Sequence, residues 1–422
     1  MIIFKRMRRR IYILDVIALN AEGGSGLASW TIISNLREFY EIVFIPKYVE
    51  FKGDSLLKSV NSIRSMGLVF PEPLEEYARN ARIYKYGEYM TALLKSVEGG
   101  SVVMDMNYFP YLATSNGNDA LRDLFFYGEA YDLHRLRGCR VITLLQTLDN
   151  RKIGSHLMLA IDLALKLNYF DARFLMKSFY RTVKDLIIKK KLLKFSDLIL
   201  VYSRGSIVSM RVEKHSDKFR VMSVGNTIRI SPNSCEKEKY IFFYARLIPE
   251  KGIFDLLPIL REVMRYQDTR LIIAGVFQSG VVKKMFFEMM MSYGLEGYVD
   301  YLGFLPTESL RDYVSRAKVL LYPSHYDSFS YVMLESLACG TAVVTYENPA
   351  ISYKYENVET VKFVREFDFE GMARAAVEFL NMDDERYKSM FRGTHTDEFV
   401  RMHLDPKYSV KEIAQYISEL YH

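Results

Sequence analysis

Residues 320–344 read LLYPSHYDSFSYVMLESLACGTAVV. The pattern is a buried apolar strand, a short polar loop, a helix, a glycine stop at Gly340 and a second apolar strand. Two carboxylates mark it: Asp327 lies in the loop, and Glu335 lies in the second turn of the helix. A helix start points free backbone N–H groups at the loop before it, which suits an anion. A loop carboxylate cannot hold phosphate, but it accepts hydrogen bonds from sugar hydroxyls. Carboxylate, helix start and carboxylate together form a layout for a phosphorylated sugar.

Working outward, the C-terminal half repeats this alternation. Strands are expected at 240–245, 270–274, 299–303, 319–323 and 342–345. Helices are expected at 252–266, 281–292, 308–316, 330–339 and 368–380, with Thr307 as an N-cap, and a last helix at 408–421. The N-terminal half has strands at 11–19, 41–45, 101–106, 141–145, 198–202 and 219–224. Its helices fall at 27–40 and 74–97, and an almost wholly helical stretch, interrupted by breaks, runs from 155 to 194. Residues 226–239 (NTIRISPNSCEKEK) are polar and aperiodic and read as a linker. The expected domains are therefore 1–225, 240–400, and a terminal helix within 401–422 that packs back on the first domain. Strict strand–helix alternation predicts an α/β chain of two Rossmann-like, doubly wound parallel sheets facing a cleft. Ligands of such sheets sit at the carboxyl ends of the strands.

Composition permits this. A chain of 422 residues can bury two ordinary cores, and half of it is apolar. The net charge of +6 suits acidic small molecules or anionic lipid and is too diffuse for a nucleic-acid partner. Cys139, Cys235 and Cys339 are far apart in sequence, which argues for a reducing compartment without disulfides. The cluster Lys5, Arg6 and Arg8 to Arg10 before an apolar stretch resembles a signal peptide. Asp15 and the lack of a small-residue cleavage site favour a first buried strand instead. No uncharged apolar run is long enough for a membrane span.

Candidate functional residues cluster at strand ends. Arg246 and Lys251, in ARLIPEKG, follow the 240–245 strand, and Gly252 is expected to open a helix. Two cations beside a helix start suit a diphosphate, whereas either alone reads as a solvated loop charge. Glu335 sits among Val332, Met333, Leu334, Leu337 and Ala338, where a carboxylate is costly without partners. Gly23, Gly24 and Gly26 follow the first strand and allow close backbone approach to a bound group. Gln146 and Thr147 end the strand VITLL at the same edge, as a site or as a capped loop. His325 neighbours Asp327 and is given no chemistry. No D-x-D, paired His or Cys motif, P-loop or nucleophile elbow occurs, so neither a metal nor a cofactor is expected. Arg173 to Lys194 form a basic amphipathic helix. It suits a core-facing helix with a solvated basic face, or an anionic membrane surface.

Together these motifs resemble the retaining glycosyltransferases of GT-B fold, of the group 1 or family 4 type. The C-terminal half carries the resemblance through ARLIPEKG, LIIAG, YLGFLP and PSHYDSFSYVMLESLACGTAVV, the last standing for the family's E-x7-E block. The N-terminal half is similar more loosely, through the glycine loop, VITLLQT, and SDLILVYS before VMSVGN. The resemblance implies that Arg246 and Lys251 hold a donor diphosphate, that Glu335 binds the nucleotide ribose, and that Asp327 lies near the donor sugar hydroxyls. It implies phosphate contact at the backbone of Ser330, Tyr331 and Val332, base contact at Phe304 and Leu305, and phosphate or acceptor contact at Gly24 and Gly26. Four positions depart from the family pattern. Asp327 replaces a glutamate, Ser330 and Ala245 replace glycines, and Gln146 stands where many members have a histidine.

The expected function is metal-independent transfer of a hexose from a nucleotide-diphosphate sugar to an acceptor hydroxyl, with retention. The acceptor would be a lipid-linked or polysaccharide glycan, with Gln146 and Thr147 on its side. The expected place of work is the cytoplasm or the inner face of its membrane, reached through Arg173 to Lys194. A sugar epimerase or phosphorylase of the same fold, or a non-catalytic sugar-nucleotide or glycan binder, are the alternatives.

Overall fold

The computed structural model describes residues 9–15, 24–46, 55–80, 86–106, 129–145, 155–167, 172–228, 230 and 235–421. The N-terminal part holds β1 (Arg10–Asp15), β2 (Glu41–Pro46), β3 (Val102–Asp105), β4 (Arg140–Leu145), β5 (Leu198–Val201) and β6 (Phe219–Val221) in one parallel sheet of order 2-1-3-4-5-6. Its helices are α1 (Gly24–Leu36), α2 (Ser55–Ser65), α3 (Glu72–Asn80), α4 (Tyr86–Ser96), α5 (Glu129–Arg137), α6 (Ser155–Leu167), α7 (Ala172–Phe195) and α8 (Arg204–Met210). The strands are short apolar runs because helices cover both faces; Ile11, Ile13, Val103, Ile142 and Leu200 are fully buried. The expected helix at 74–97 is two helices, α3 and α4, and residues 81–85 between them lie outside the described residues. The stretch 155–194 holds α6 and α7, and residues 168–171 between them lie outside the described residues. No described helix is long and apolar enough to cross a membrane.

The second sheet is also parallel. Its strands are β7 (Glu238–Tyr244), β8 (Leu271–Ala274), β9 (Val299–Gly303), β10 (Ala317–Tyr322), β11 (Ala342–Tyr346) and β12 (Val361–Val364), in the order 12-11-10-7-8-9. From β7 the chain winds outward through β8 and β9, and from β10 in the opposite direction. The crevice between β7 and β10 is thus the switch point, where a doubly wound sheet binds its ligand. Around the sheet lie α9 (Leu256–Val263), α10 (Gly280–Ser292), α11 (Thr307–Arg316), α12 (Tyr331–Ala338), α13 (Pro349–Ser352), α14 (Phe369–Asn381), α15 (Asp384–Ser389), α16 (His395–Leu404) and α17 (Pro406–Glu419).

Two expectations here are corrected. Gly252 does not open a helix: it takes φ 75° and closes a 3-10 turn at Pro249–Lys251, and α9 begins only at Leu256. The early start follows from an apolar run, IFDLLPIL, that begins before the helical backbone does. Thr307 is the first helical residue rather than the N-cap, which is Pro306. The edge strand β12, half-buried along most of its length, lies outside the expected strands.

The two halves touch through specific contacts. A Cβ on Gly205, at the start of α8, would lie 1.8 Å from the Pro349 carbonyl oxygen of α13, so only glycine fits. The Tyr202 ring, just past β5, meets Phe329 edge-on at 5.7 Å. Lys354 donates to the carbonyls of Met222 and Ser223 at 3.1 and 2.9 Å. The final helix α17 returns to the first sheet: Tyr40 donates to the Ala414 carbonyl at 2.9 Å, and Arg140 to that of Leu420 at 2.7 Å.

Candidate active site

Lys251 and Asp327 meet at the switch point. The 3-10 turn after β7 carries Lys251, and the loop after β10 carries Asp327. Lys251 Nζ donates to Asp327 Oδ2 at 2.7 Å and to the Tyr326 carbonyl at 3.0 Å. Tyr322, the last residue of β10, donates its hydroxyl to the same Oδ2 at 2.7 Å. The other oxygen, Oδ1, accepts the N–H groups of Ser328 and Ser330 at 3.1 and 3.2 Å. Burial disfavours the charge on both side chains, yet each holds the other ionised: Lys251 titrates well above its ordinary range and Asp327 below its own. Gly252 allows this approach, since a Cβ there would lie 2.0 Å from the Pro323 carbonyl oxygen.

The start of α12 lies beside this pair. Ser330 is its N-cap, and its Oγ accepts the Met333 N–H at 3.3 Å. Ser330 holds φ 63°, a left-handed conformation that explains why glycine would be the easy residue here. The N–H groups of Tyr331 and Val332, the first two of the helix, make no bond to other described residues and carry the positive end of the helix. One turn on, Glu335 is half-buried. Tyr244, the last residue of β7, donates to its Oε2 at 3.2 Å and to the Val332 carbonyl at 2.9 Å. Burial pushes the Glu335 carboxyl up to about 6, against the pull of Tyr244 and the charge of Arg311.

Arg246 also follows β7, exposed and without an ion pair among the described residues. Phe304 and Leu305 follow β9; Phe304 is 77% exposed and Leu305 half-buried. Gly24 and Gly26 form the first turn of α1, and Gly23, Gln146 and Thr147 lie outside the described residues. Tyr244 and Tyr322 are absent from the sequence-derived set. Each is the final residue of an apolar strand, and that position at the ligand edge is the signal that marks them. Among the described residues no group of three or more His, Cys, Asp or Glu is placed to hold a metal ion.

His325 has a larger structural part than its sequence suggests. It is fully buried, with Nδ1 2.6 Å from Glu366 Oε1 and Nε2 3.1 Å from Asp255 Oδ2, the latter at ion-pair distance but out of hydrogen-bond alignment. Tyr346 donates to the same Asp255 oxygen at 2.7 Å. Burial opposes a charged imidazole, but the two carboxylates outweigh it and raise His325 to about 9. Its backbone N–H also bonds the Glu250 carbonyl at 3.0 Å. It thereby ties the Asp327 loop to the segment that carries Lys251.

Comparison with known proteins bears on the family and the fold. Residues 225–394 match the family model described as glycosyl transferases group 1. That group 1 region contains Arg246, Lys251, Phe304, Asp327 and Glu335. An uncharacterized glycosyltransferase of Methanocaldococcus jannaschii is 33% identical over 109 residues, 26% of this chain and 27% of the relative. The O-antigen chain mannosyltransferase B of Escherichia coli is 31% identical over 111 residues, 25% of this chain and 28% of the relative. The matched part of the chain thus spans under a third of either relative's length. Over nearly the whole chain, the likeness is one of shape. HepE of Anabaena, solved in complex with UDP and glucose, superposes with a TM-score of 0.60 at 13% identity, covering 97% of this chain and 100% of its own. The fold is GT-B.

Proposed function

We propose that this chain is a retaining, metal-independent glycosyltransferase that moves a hexose from a nucleotide-diphosphate sugar to an acceptor hydroxyl. The observation that carries this reading is the cationic edge at the switch point. Lys251 is held by Asp327 beside the N–H groups of Tyr331 and Val332, which meet no acceptor among the described residues, with Arg246, outside any ion pair among those residues, on the same edge. Those groups would stabilise the diphosphate as its charge develops. Glu335 would accept the ribose hydroxyls, Phe304 and Leu305 would flank the base, and Ser330 would shape the phosphate loop. All four acceptor directions of Asp327 are already engaged, so its main part is to orient Lys251; a donor sugar hydroxyl would have to displace one of its partners. The bond from the anomeric carbon to the diphosphate breaks while the bond to the acceptor oxygen forms on the same face. The acceptor hydroxyl gives its proton to the leaving phosphate. Gly24 and Gly26 would face the phosphate or acceptor, and Gln146 and Thr147 the acceptor. The acceptor is a lipid-linked or polysaccharide glycan. The protein works in the cytoplasm, with peripheral contact to the inner membrane face through Arg173 to Lys194.

A thermal-shift screen with UDP-, GDP-, ADP- and dTDP-sugars tests the donor site, since a ligand of the folded state raises its stability with concentration. One donor should raise the midpoint with or without chelator, and Arg246→Ala should abolish that rise. No rise with any of the four would sink the donor assignment. Proton NMR of the transferred sugar then reads retention directly. Interconversion of the donor without an acceptor would favour an epimerase, and binding without transfer a non-catalytic protein.

A further inference from the structure

The hairpin of α6 and α7 leaves an apolar face uncovered. In α6 the core face is Leu159, Leu163 and Leu167, spaced at four residues and buried. Met158, Ile161 and Leu165 lie on another side of the same helix, exposed by 58, 39 and 78%. In α7, Met176 and Phe179 are exposed by 74 and 59% and, three residues apart, share a face. A helix apolar on more than its core-facing stripe is normally buried against something further. Exposed apolar side chains are ordinary singly, but five on two packed helices exceed ordinary scatter.

Charge says what covers it. Residues 155–195 carry nine lysines and arginines against three aspartates, a net of +6. The whole chain is also +6, so outside this hairpin acidic and basic residues balance. Lys190 and Lys194 are exposed. A second copy of the chain would bring one hairpin of net charge +6 against another, and like charges oppose that pairing. Apolar side chains interspersed with cations suit an anionic lipid surface. The hairpin also borders the candidate site: Lys166, at the end of α6, lies 4.0 Å over the Phe367 ring, which packs on His325 at 4.8 Å.

We propose that the α6–α7 hairpin docks this protein on an anionic lipid surface, with Met158, Ile161, Leu165, Met176 and Phe179 entering the headgroup layer. The docking stands on the hairpin alone. What it adds to the proposed function, a membrane-held acceptor delivered beside the cleft, rests on that reading.

Vesicle flotation tests it without donor or acceptor, so its outcome is separate from that of the transferase assays. The full chain should float with phosphatidylcholine vesicles containing phosphatidylglycerol and stay down with phosphatidylcholine alone. High salt should weaken the binding. The triple variant Leu165→Gln, Met176→Gln, Phe179→Gln should bind about tenfold more weakly. Its unfolding midpoint should not change, because the side chains are exposed. Lys190→Glu with Lys194→Glu should weaken binding too, whereas Met291→Gln, an exposed methionine on α10, should not. Three results would overturn the proposal: no flotation, equal flotation on both vesicle types, or wild-type flotation by the triple variant. A wild-type dimer that fails to float and that the triple variant turns into a monomer would overturn it in favour of a second copy.

Discussion

Asp327 and Glu335 belong to one short motif, yet their surroundings drive them in opposite directions. Asp327 lies where two strand ends converge, and four donors from the protein fill both its oxygens. Burial alone would raise its pKa, but Lys251 overrides that and holds it low. Glu335 is half-buried with a single described donor, the Tyr244 hydroxyl at 3.2 Å, and loss of solvent prevails, raising it to about 6. The first carboxylate is consumed in building the site. The second keeps acceptor capacity for a ligand, at the cost of being easily protonated. Residue type and spacing do not distinguish them; the number of donors each meets does.

The largest effect should come from breaking the built end. Lys251→Ala removes a cation proposed to meet the diphosphate, and turnover should fall about a hundred- to a thousandfold. It also leaves the Asp327 carboxylate buried without its counter-charge, which should cost about 3 kcal/mol of stability by urea unfolding. The double variant Lys251→Met, Asp327→Asn separates the two roles, for it removes the orphaned charge. Stability should largely return while turnover stays low; recovery of both would make Lys251 a structural residue only. Arg246→Ala, exposed and outside any ion pair among the described residues, should leave stability within about 0.5 kcal/mol. The same variant should lower kcat/KM for the donor about ten- to a hundredfold, the loss of one charge-assisted contact.

The sequence makes the strand–loop–helix–strand around Asp327 legible, because buried parallel strands are continuous apolar runs and Gly340 punctuates the helix end. It gives both halves of the fold for the same reason. The pairing of Lys251 with Asp327 is not legible, since the two are 76 positions apart and meet only because the doubly wound order sets β7 beside β10. Tyr244 and Tyr322 hide among apolar strand residues, and only the strand end turns their hydroxyls into site groups. The edge strand β12 escapes because a half-buried strand lacks the apolar run of a central one. The part given to His325 depends on Asp255 and Glu366, which come from elements 70 and 41 positions away.

The ligand-ready end should respond to pH. Below about 6 Glu335 protonates and loses acceptor strength, so donor affinity should fall as pH is lowered through that value. Glu335→Gln should bind donor about tenfold more weakly near pH 7, and isothermal titration should find its affinity flat through the same interval. A wild-type-like fall in the glutamine variant would assign the titration to another group. Stability runs the other way. The folded-state pKa lies above the ordinary 4.5, so the folded chain binds the extra proton, and the contribution of Glu335 declines as pH rises from about 4.5 through about 6. Relative to Glu335→Gln, the wild type should therefore be more stable at pH 4.5 than at pH 7.

The smallest effect concerns Ser330, between the two carboxylates. Its backbone sits at φ 63°, a strain of about 1 kcal/mol for a residue with a Cβ. Its Oγ meanwhile caps the Met333 N–H, a contact whose loss to alanine costs about 1 kcal/mol. Ser330→Gly relieves the strain, loses only about 0.3 kcal/mol of capping because glycine is itself a fair N-cap, and gains freedom in the unfolded chain worth about 0.5 to 1 kcal/mol. Those terms nearly cancel, so its unfolding free energy should stay within about 0.5 kcal/mol of wild type. Ser330→Ala keeps the strain and loses the cap, so it should lose about 1 kcal/mol. If glycine proved clearly stabilising, the strain would outweigh the cap, and serine would be held at this position for something other than stability. The donor titration of the glycine variant then decides the matter: a weaker affinity at higher stability would place the Ser330 hydroxyl among the phosphate contacts, alongside the N–H groups of Tyr331 and Val332.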